Sequence, residues 1–240
     1  MTDDDILEPQ DWSFPIPIAY GPGRLGEIGQ RCLAMGLLNP LIVTDKGSSD
    51  LPFISKLHSY LADAGLSTAL FSEISPNPRD DEISTGCEKF QSGNHDAIIA
   101  IGGGSAIDGG KAICLTAKNE IDLWDFEWEA EPVAINPDQA FPTLITIPTT
   151  AGTGAETEST AMVTHTGKGM KFCICHPQLK PSLALLDPEL TIGLPANLTA
   201  WTGADAMVHA IEAYCVPSFH PLCDGLALES LNLISKWLPV

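Results

Sequence analysis

The stretch from residue 97 to residue 116 constrains the fold more than any other part of the chain. Five consecutive apolar residues, Ala97–Ile101, predict a buried strand. Gly102–Gly104 follow, where a backbone can turn sharply and approach a ligand closely. The segment Ser105–Thr116 then predicts a helix. A strand, a glycine turn and a helix N-terminus together present free backbone N–H groups and a positive dipole end to a phosphate.

The loop by itself does not decide between a phosphate site and an ordinary tight turn. Ser105 and Ile107 occupy positions at which the dinucleotide fingerprint G-x-G-x-x-G requires glycine. Gly110 and Lys111 partly match the Walker pattern, but Ser105 replaces a glycine, and Ala112 replaces the Ser or Thr that would hold Mg²⁺. Phosphate binding and a purely structural βα turn therefore both remain open on this loop alone.

Predicted strands and helices alternate along most of the chain. Short apolar runs bounded by turn residues predict strands, and apolar residues at helical spacing predict the helices between them. The predicted strands cover residues 14–20, 41–44, 68–71, 97–101, 141–147, 157–164, 171–175 and 181–186, and the predicted helices cover 24–35, 51–64, 79–92 and 105–116. The alternation predicts an α/β domain with a doubly wound, Rossmann-like parallel sheet, and residues 157–175 predict a hairpin.

Several predicted strands end in residues suited to a ligand. Asp45, Asn77 and the loop Gly102–Ser105 each follow a predicted strand. Because ligands of parallel sheets bind outside the carboxyl ends of the strands, these residues can face one site. Pro148–Glu156, rich in small and hydroxylic residues, follows another strand and suits either close ligand contact or an ordinary loop.

Composition narrows the class of partner. The 240 residues are 44% hydrophobic and 18% charged, which supports a packed core. The formal charge of −19 argues against nucleic acid and anionic membranes as partners. No apolar run reaches the ~20 residues of a membrane span, and the acidic N-terminus Met1–Asp5 does not suit a signal peptide. Seven cysteines without a C-x-x-C pair predict reduced thiols and a cytoplasmic protein.

The pattern becomes helical from Thr199, where two side chains form a candidate metal pair. Asp205 and His209 are spaced i, i+4, so they share one helix face. A carboxylate oxygen and an imidazole nitrogen at this spacing can bind one metal ion. Glu212 lies three residues beyond His209 and nearly shares the face. Taken alone, an intrahelical Asp–His hydrogen bond is the simpler interpretation, because two ligands do not make a metal site.

Four motifs occur in order along the chain. They are GGGSAIDGGK at 102–111, PTTAGTGAE at 148–156, DPELT at 187–191 and TAWTGADAMVHAIEAY at 199–214. Together they resemble the iron-dependent (group III) alcohol dehydrogenases, which include lactaldehyde reductases, propanediol dehydrogenases and butanol dehydrogenases. The resemblance implies an NAD- or NADP-binding α/β domain and an all-helical domain, with a metal in the cleft between them. Residues 1–13 are then a tail, 14–190 the NAD-binding domain and 191–240 the beginning of the helical domain.

The resemblance also assigns cofactor contacts by position. Gly102–Ser105 match the pyrophosphate-binding loop, Asp108 matches the acid beside it, and Asp45 matches the position that distinguishes NAD from NADP. A carboxylate accepts a hydrogen bond from a ribose 2′-hydroxyl and repels a 2′-phosphate, so NAD is the expected cofactor. The full set of implied contacts is Asp45, Asn77, Gly102, Gly103, Gly104, Ser105, Asp108, Thr149, Thr150 and Lys171.

The implied metal site is incomplete in this sequence. Asp205 and His209 match two of the four protein ligands that hold Fe²⁺, or Zn²⁺, in the family, and the other two are histidines well past the position of residue 240. The metal would polarise the oxygen of an alcohol, aldehyde or ketone during hydride transfer with NAD, so no catalytic side chain is implied. The apolar segment 226–238 predicts a buried helix with almost nothing after it, which suggests a truncated chain.

Two other functions remain open. One is a non-catalytic NAD-binding fragment, because two metal ligands are absent. The other is a metal-independent relative, such as a maleylacetate reductase, against which the intact motif holding Asp205 and His209 argues. A homodimer is an expectation of the family that the composition does not address.

Overall fold

The computed structural model describes residues 16–131, 133, 135–136, 139–217 and 219–239 of the chain. The predicted tail, residues 1–13, lies outside the described residues. The strands are β1 (Ile18–Tyr20), β2 (Pro40–Asp45), β3 (Ala69–Ile74), β4 (Ala97–Gly102), β5 (Thr143–Pro148), β6 (Thr160–His165), β7 (Met170–Cys175) and β8 (Leu183–Leu186). The α-helices are α1 (Ile28–Ala34), α2 (Pro52–Asp63), α3 (Asp80–Ser92), α4 (Gly104–Thr116), α5 (Ala196–Cys215) and α6 (Pro221–Trp237).

Six strands form one parallel sheet in the order β1-β8-β5-β4-β2-β3. Strands β6 and β7 form a separate antiparallel pair, in which Thr160 faces Cys175 and His165 faces Met170. The predicted α/β fold with a parallel, Rossmann-like sheet is confirmed.

Apolar layers cover both faces of the sheet. Successive side chains of a strand point to opposite faces, so Val43 of β2 joins one layer while Ile42 joins the other. The first layer packs against α3 and α4, and the second against α1 and α2. Burial on both faces explains why the central strands are continuous apolar runs rather than alternating ones.

The chain reverses its winding direction between β2 and β4. Helix α2 follows β2 and packs in one layer, whereas α4 follows β4 and packs in the opposite layer. Strands β2 and β4 are nevertheless neighbours, with Pro40 opposite Ala97 and Val43 opposite Ala100. A crevice therefore opens at their carboxyl ends, which is the usual ligand-binding position in sheets of this kind.

One local prediction needed correction. The predicted helix over 24–35 is instead a 3₁₀ turn, Arg24–Glu27, followed by the shorter helix α1. The N–H of Leu25 donates to the carboxylate of Asp187 at 2.9 Å, while that of Gly26 donates to the carbonyl of Gly23, so the first turn is tight. The acidic stretch 122–131 buries Leu123 and Phe126 and leaves Trp128 68% exposed.

The described residues group into two compact units. One comprises Ile16–Thr149 and Ala155–Ile192 and contains both sheets, and the other comprises Thr150–Gly154 and the residues from Gly193 onward. In the second unit α5 packs against α6, where Ala210 and Ala227 are buried. Large apolar residues of these helices stay exposed, with Trp201 at 63% and Trp237 at 60%. Among the described helices, none combines the length and the hydrophobicity that a bilayer-crossing segment needs.

Candidate functional site

The glycine loop turns directly into helix α4. Gly102, the last residue of β4, has φ +142°, a backbone conformation that L-residues rarely adopt. A Cβ at Gly102 would lie 2.7 Å from the Cβ of Ala106 and 3.1 Å from Oδ2 of Asp45. Both the conformation and the space therefore require glycine, which leaves bare backbone at the mouth of the crevice.

The N–H groups in the first turn of helix α4 are available to a ligand. Gly103 is its N-cap residue, has extended backbone and makes no side-chain capping bond. The first four N–H groups of a helix have no partner within the helix and carry the positive end of its dipole. Gly110, farther along α4, lies close to β4, since a Cβ there would be 2.5 Å from the Cβ of Ala100. Close helix–strand packing thus aims the N-terminus at the crevice.

Asp45 occupies the other side of the crevice, at the end of β2. Its Oδ1 accepts a hydrogen bond from the N–H of Gly47 at 2.9 Å, and its Oδ2 accepts one from the hydroxyl of Ser48 at 2.7 Å. These bonds fix the orientation of the carboxylate. An ionised carboxylate has about four acceptor positions, so Asp45 retains capacity for a ligand hydroxyl.

Two further strand ends meet the same edge of the sheet. Asn77, after β3, has φ +68° and is exposed, and its N–H donates to the hydroxyl oxygen of Ser105 at 3.3 Å. Thr149, after β5, is 7% exposed and donates its N–H to the carbonyl of Gly102 at 2.9 Å. The structure thus brings Asp45, Asn77, the glycine loop and Thr149 together. Thr150 belongs to the second compact unit and is partly buried there.

Asp108 and Lys111 lie farther along α4 and are turned toward strand β6. Oδ2 of Asp108 accepts a hydrogen bond from the N–H of Met162 at 3.2 Å. Burial raises the pKa of Asp108 to about 6, although the charges of Lys111 and Lys171 oppose the rise. Lys171 lies on β7 and is exposed. Its charge acts on Asp108, but no described contact joins Lys171 to the glycine loop.

The ammonium of Lys111 does not point toward the glycine loop. Lys111 is 0% exposed, and its Nζ donates to the carbonyls of Glu158 at 2.8 Å and Thr160 at 2.9 Å. Burial lowers the pKa of this lysine, while nearby carboxylates oppose the decrease. A buried ammonium with two backbone acceptors braces α4 against the segment before β6. The partial Walker match at Gly110-Lys111 is therefore a structural feature and not a phosphate site.

Asp108 makes stability depend on pH in a defined direction. Its pKa is about 6 in the folded chain against 3.8 ordinarily, so between these values the folded state binds the extra proton and stability falls as pH rises. Asp108→Asn should flatten this decline, which is on the order of 2 kcal/mol. Thermal unfolding from pH 4 to pH 7 measures it. Burial also raises the pKa of Glu156, so the same measurement on Glu156→Gln gives the separate contribution of that residue. If Asp108→Asn loses stability with rising pH as steeply as the unsubstituted chain, the decline does not come from Asp108.

The candidate metal ligands lie together on α5. Nε2 of His209 is 3.7 Å from Oδ1 of Asp205, and both side chains are about half exposed, at 51% and 46%. Imidazole nitrogen and carboxylate oxygen are suitable donors for Fe²⁺ or Zn²⁺. Within the described parts of the chain, no cluster of three or more His, Cys, Asp or Glu side chains is placed to hold a metal. The two residues therefore fit a metal as a partial donor set.

A cavity of about 440 Å³ adjoins His209 within the second compact unit. Its lining is almost entirely apolar and comprises Gly152, Gly154, Ala206, His209, Ala210, Ala213, Cys223, Leu226, Ala227, Ser230, Leu233 and Ile234. A volume of this size suits a small organic ligand. The cavity places apolar space beside the imidazole of His209, with few competing polar groups.

Asp187 has a role that its motif did not reveal. It is 3% exposed, and its carboxylate accepts hydrogen bonds from the N–H groups of Gly23, Leu25 and Glu189 at 3.1, 2.9 and 3.0 Å. Asp187 therefore joins the 3₁₀ turn Arg24–Glu27 to the end of β8. An Asp before Pro is a usual signal for a local turn, but the two distant donors carry no local signal.

Two family models match the chain. The model of the iron-containing alcohol dehydrogenases matches residues 15–188, and the model of the C-terminal part of the Fe-containing alcohol dehydrogenase family matches residues 199–240. The first match covers more than half of the chain. The chain belongs to the iron-containing alcohol dehydrogenase family.

Individual relatives are similar along almost the whole chain. The 1,3-propanediol dehydrogenase of Klebsiella pneumoniae is 36% identical over 94% of this chain and 58% of its own. The NAD-dependent methanol dehydrogenase of Bacillus methanolicus is 36% identical over 95% of this chain and 59% of its own. The crystal structure of a 1,3-propanediol oxidoreductase superposes with a TM-score of 0.88 at 35% identity, covering 95% of this chain and 59% of that one. This chain thus spans less than two thirds of these relatives.

Proposed function

We propose that this chain is part of an NAD-dependent oxidoreductase that interconverts a small alcohol and its aldehyde or ketone. The observation that carries the proposal is the crevice between β2 and β4, where the bare backbone of Gly102 and the N-terminus of α4 face the carboxylate of Asp45. An anionic group suits the helix N-terminus, and a ribose hydroxyl suits the carboxylate. Membership of the family supports the choice of alcohols as substrates.

Each cofactor residue would hold a different part of NAD. The N–H groups at Gly103, Gly104 and Ser105 would donate to the pyrophosphate, and Asp45 would accept from the adenosine ribose. Asn77 and Thr149 border the same edge, and we propose Thr150, Asp108 and Lys171 as further contacts, on the strength of the family resemblance alone. NAD supplies the hydride acceptor when it is bound. The name of the Bacillus methanolicus relative, an NAD-dependent enzyme, supports this cofactor.

Asp205 and His209 would hold the catalytic metal, Fe²⁺ or Zn²⁺. A divalent metal supplies Lewis-acid polarisation of the substrate oxygen. The protein's part would be to bind the anionic cofactor, orient its ribose and offer the apolar space beside His209 to the carbon chain of the substrate. The names of the relatives support an alcohol of a few carbons as the substrate.

NADH binding and turnover test this proposal together. NADH fluorescence titration should show saturable binding, and absorbance at 340 nm should report turnover of 1,3-propanediol or methanol after loading with Fe²⁺ or Zn²⁺. Saturable binding without turnover would favour the second candidate, an NAD-binding fragment without catalysis. That candidate rests on the two-residue donor set among the described residues. A chain that binds no NADH would overturn both.

Replacing the carboxylate of Asp45 should weaken the preference for NADH. Asp45→Asn removes the charge that opposes a 2′-phosphate but keeps a hydrogen-bonding group near the ribose. We expect the ratio of the Kd for NADPH to that for NADH to fall about tenfold, on the scale of one close charge pair. Asp63→Asn makes the same charge change at an exposed position on α2 and should leave the ratio unaltered. Equal ratios in the two variants would contradict the role of Asp45.

A further inference from the structure

Lys46, the residue after Asp45, places a cation beside the proposed ribose site. Its backbone N–H donates to the carbonyl of Ile74 at 2.9 Å, so its backbone continues the contact between β2 and β3. A lysine at this position is an obvious candidate to bind a 2′-phosphate, which would favour NADP. Two consecutive residues therefore favour different cofactors: Asp45 favours NAD, whereas Lys46 would favour NADP.

The ammonium of Lys46 is held at the β3 side of the sheet. Nζ lies 3.0 Å from Oε1 of Glu82 and 3.1 Å from the hydroxyl oxygen of Ser75, and the Glu82 side chain is only 11% exposed. Asp45 instead faces β4, because its Oδ2 is 3.1 Å from the Cβ position of Gly102. Strands β3 and β4 lie on opposite sides of β2, so the two charges of Asp45 and Lys46 are directed apart.

Glu82 is fixed by several partners in addition to the lysine. Its carboxylate accepts hydrogen bonds from the N–H of Ser75 at 3.0 Å, from the hydroxyl of Ser75 and from the N–H of Arg79 at 3.3 Å. Burial alone would raise the pKa of Glu82, but the bonds from Ser75 and the charge of Lys46 outweigh it and lower the pKa. Glu82 is therefore an anchored anion and not a mobile surface acid.

The second cation near this edge is neutralised in the same way. The guanidinium of Arg79 makes two parallel bonds to the carboxylate of Asp81, at 2.9 and 2.6 Å. The first turn of α3 thus supplies one carboxylate to each of the two cations that follow β2 and β3. Among the described residues, Asp45 has no ion-pair partner, and its carboxylate faces the glycine loop.

We infer that Glu82 is a specificity-determining residue, which favours NAD by holding the ammonium of Lys46 against Ser75 and away from the position of a 2′-phosphate. The inference rests on the proposed cofactor. It adds a residue outside the crevice to those that determine the preference for NAD over NADP. In Glu82→Gln the ion pair is lost, while an amide oxygen remains to accept from the N–H of Ser75. The freed lysine has a flexible four-carbon stem that can turn toward the anion.

The experiment is a double-mutant cycle measured by NADH and NADPH fluorescence titration. Glu82→Gln should lower the ratio of the Kd for NADPH to that for NADH about fivefold. This change in the ratio should become smaller as the salt concentration is raised. Lys46→Ala alone should change the ratio less than twofold, because the lysine is already neutralised. Adding Lys46→Ala to Glu82→Gln should restore the ratio of the unsubstituted chain. Glu88→Gln is the matched control, because it removes the same charge from an exposed position on α3.

The outcomes separate the inference from the proposed function. If the unsubstituted chain binds NADH and Glu82→Gln leaves the ratio as it was, the inference is wrong and the proposed cofactor stands. If the unsubstituted chain binds no NADH, the proposed function itself fails. If Glu82→Gln does not fold, the single variant Lys46→Ala still tests the inference. A ratio that then rises more than threefold would mean that Lys46 already binds the 2′-phosphate, which contradicts the inference.

Discussion

Gly102→Val is expected to abolish measurable NADH binding. A positive φ costs a non-glycine residue about 1–3 kcal/mol, and overpacking against Ala106 and Asp45 adds about 1–3 kcal/mol. The added side chain would also cover the backbone surface that the pyrophosphate has to approach. Because the side chain blocks the approach of the pyrophosphate, we expect a loss of affinity of at least about 100-fold. Fluorescence titration with NADH measures the affinity, and urea unfolding measures the stability.

The control for this variant isolates the backbone strain. Gly36 has φ +75° but no atom within 4 Å of its Cβ position, so Gly36→Ala meets only the conformational cost. It lies in the turn after α1, away from the crevice. NADH affinity should stay unaltered in Gly36→Ala. If Gly102→Val retained the affinity of the parent chain, the glycine loop would not be the site of the cofactor phosphates.

Asp187→Ala should lower the free energy of unfolding by about 3–5 kcal/mol. The change removes the acceptor of three backbone N–H groups in a place that is 3% exposed, and each orphaned donor costs about 1–3 kcal/mol. Asp187→Asn keeps one acceptor oxygen and should lose less. Urea or thermal unfolding at constant pH gives both values.

An exposed acid supplies the comparison for Asp187. Asp63 ends α2 and is exposed, so Asp63→Ala should change stability by no more than about 0.5 kcal/mol. A loss below about 1 kcal/mol in Asp187→Ala would show that water replaces the carboxylate and that the three bonds do not tie the two turns together.

The elements of the fold were predictable because most of their signals are local. The predicted strand 97–101 corresponds to β4, which is buried at every position, and the glycine turn and helix after it lie where they were predicted. The misassigned segment is held by a distant partner. The 3₁₀ turn Arg24–Glu27 depends on Asp187, which is 162 residues from Leu25, and no pattern near residue 24 reports that bond.

Charged residues in the middle of the chain were less predictable than apolar ones. The sequence left the role of Lys111 open, because its neighbours partly match a phosphate-binding motif. Its two acceptors are backbone carbonyls 47 and 49 residues away, and only the packing of α4 against the segment before β6 brings them together. The contact between Lys46 and Glu82 likewise joins residues 36 positions apart. Apolar periodicity reports burial, but it does not report which polar groups meet.

The sequence by itself determined the order of strands and helices, the position of the glycine turn and the pairing of Asp205 with His209 on one helix face. These features follow from neighbours along the chain, through backbone conformation and helical spacing. Only the tertiary structure decided that β2 lies beside β4, so that Asp45 faces Gly102 across the crevice while Lys46 is held by Glu82 at the β3 side. Strand order depends on covering both faces of the sheet with helices. That is a property of the whole packed core, which no single stretch of sequence contains.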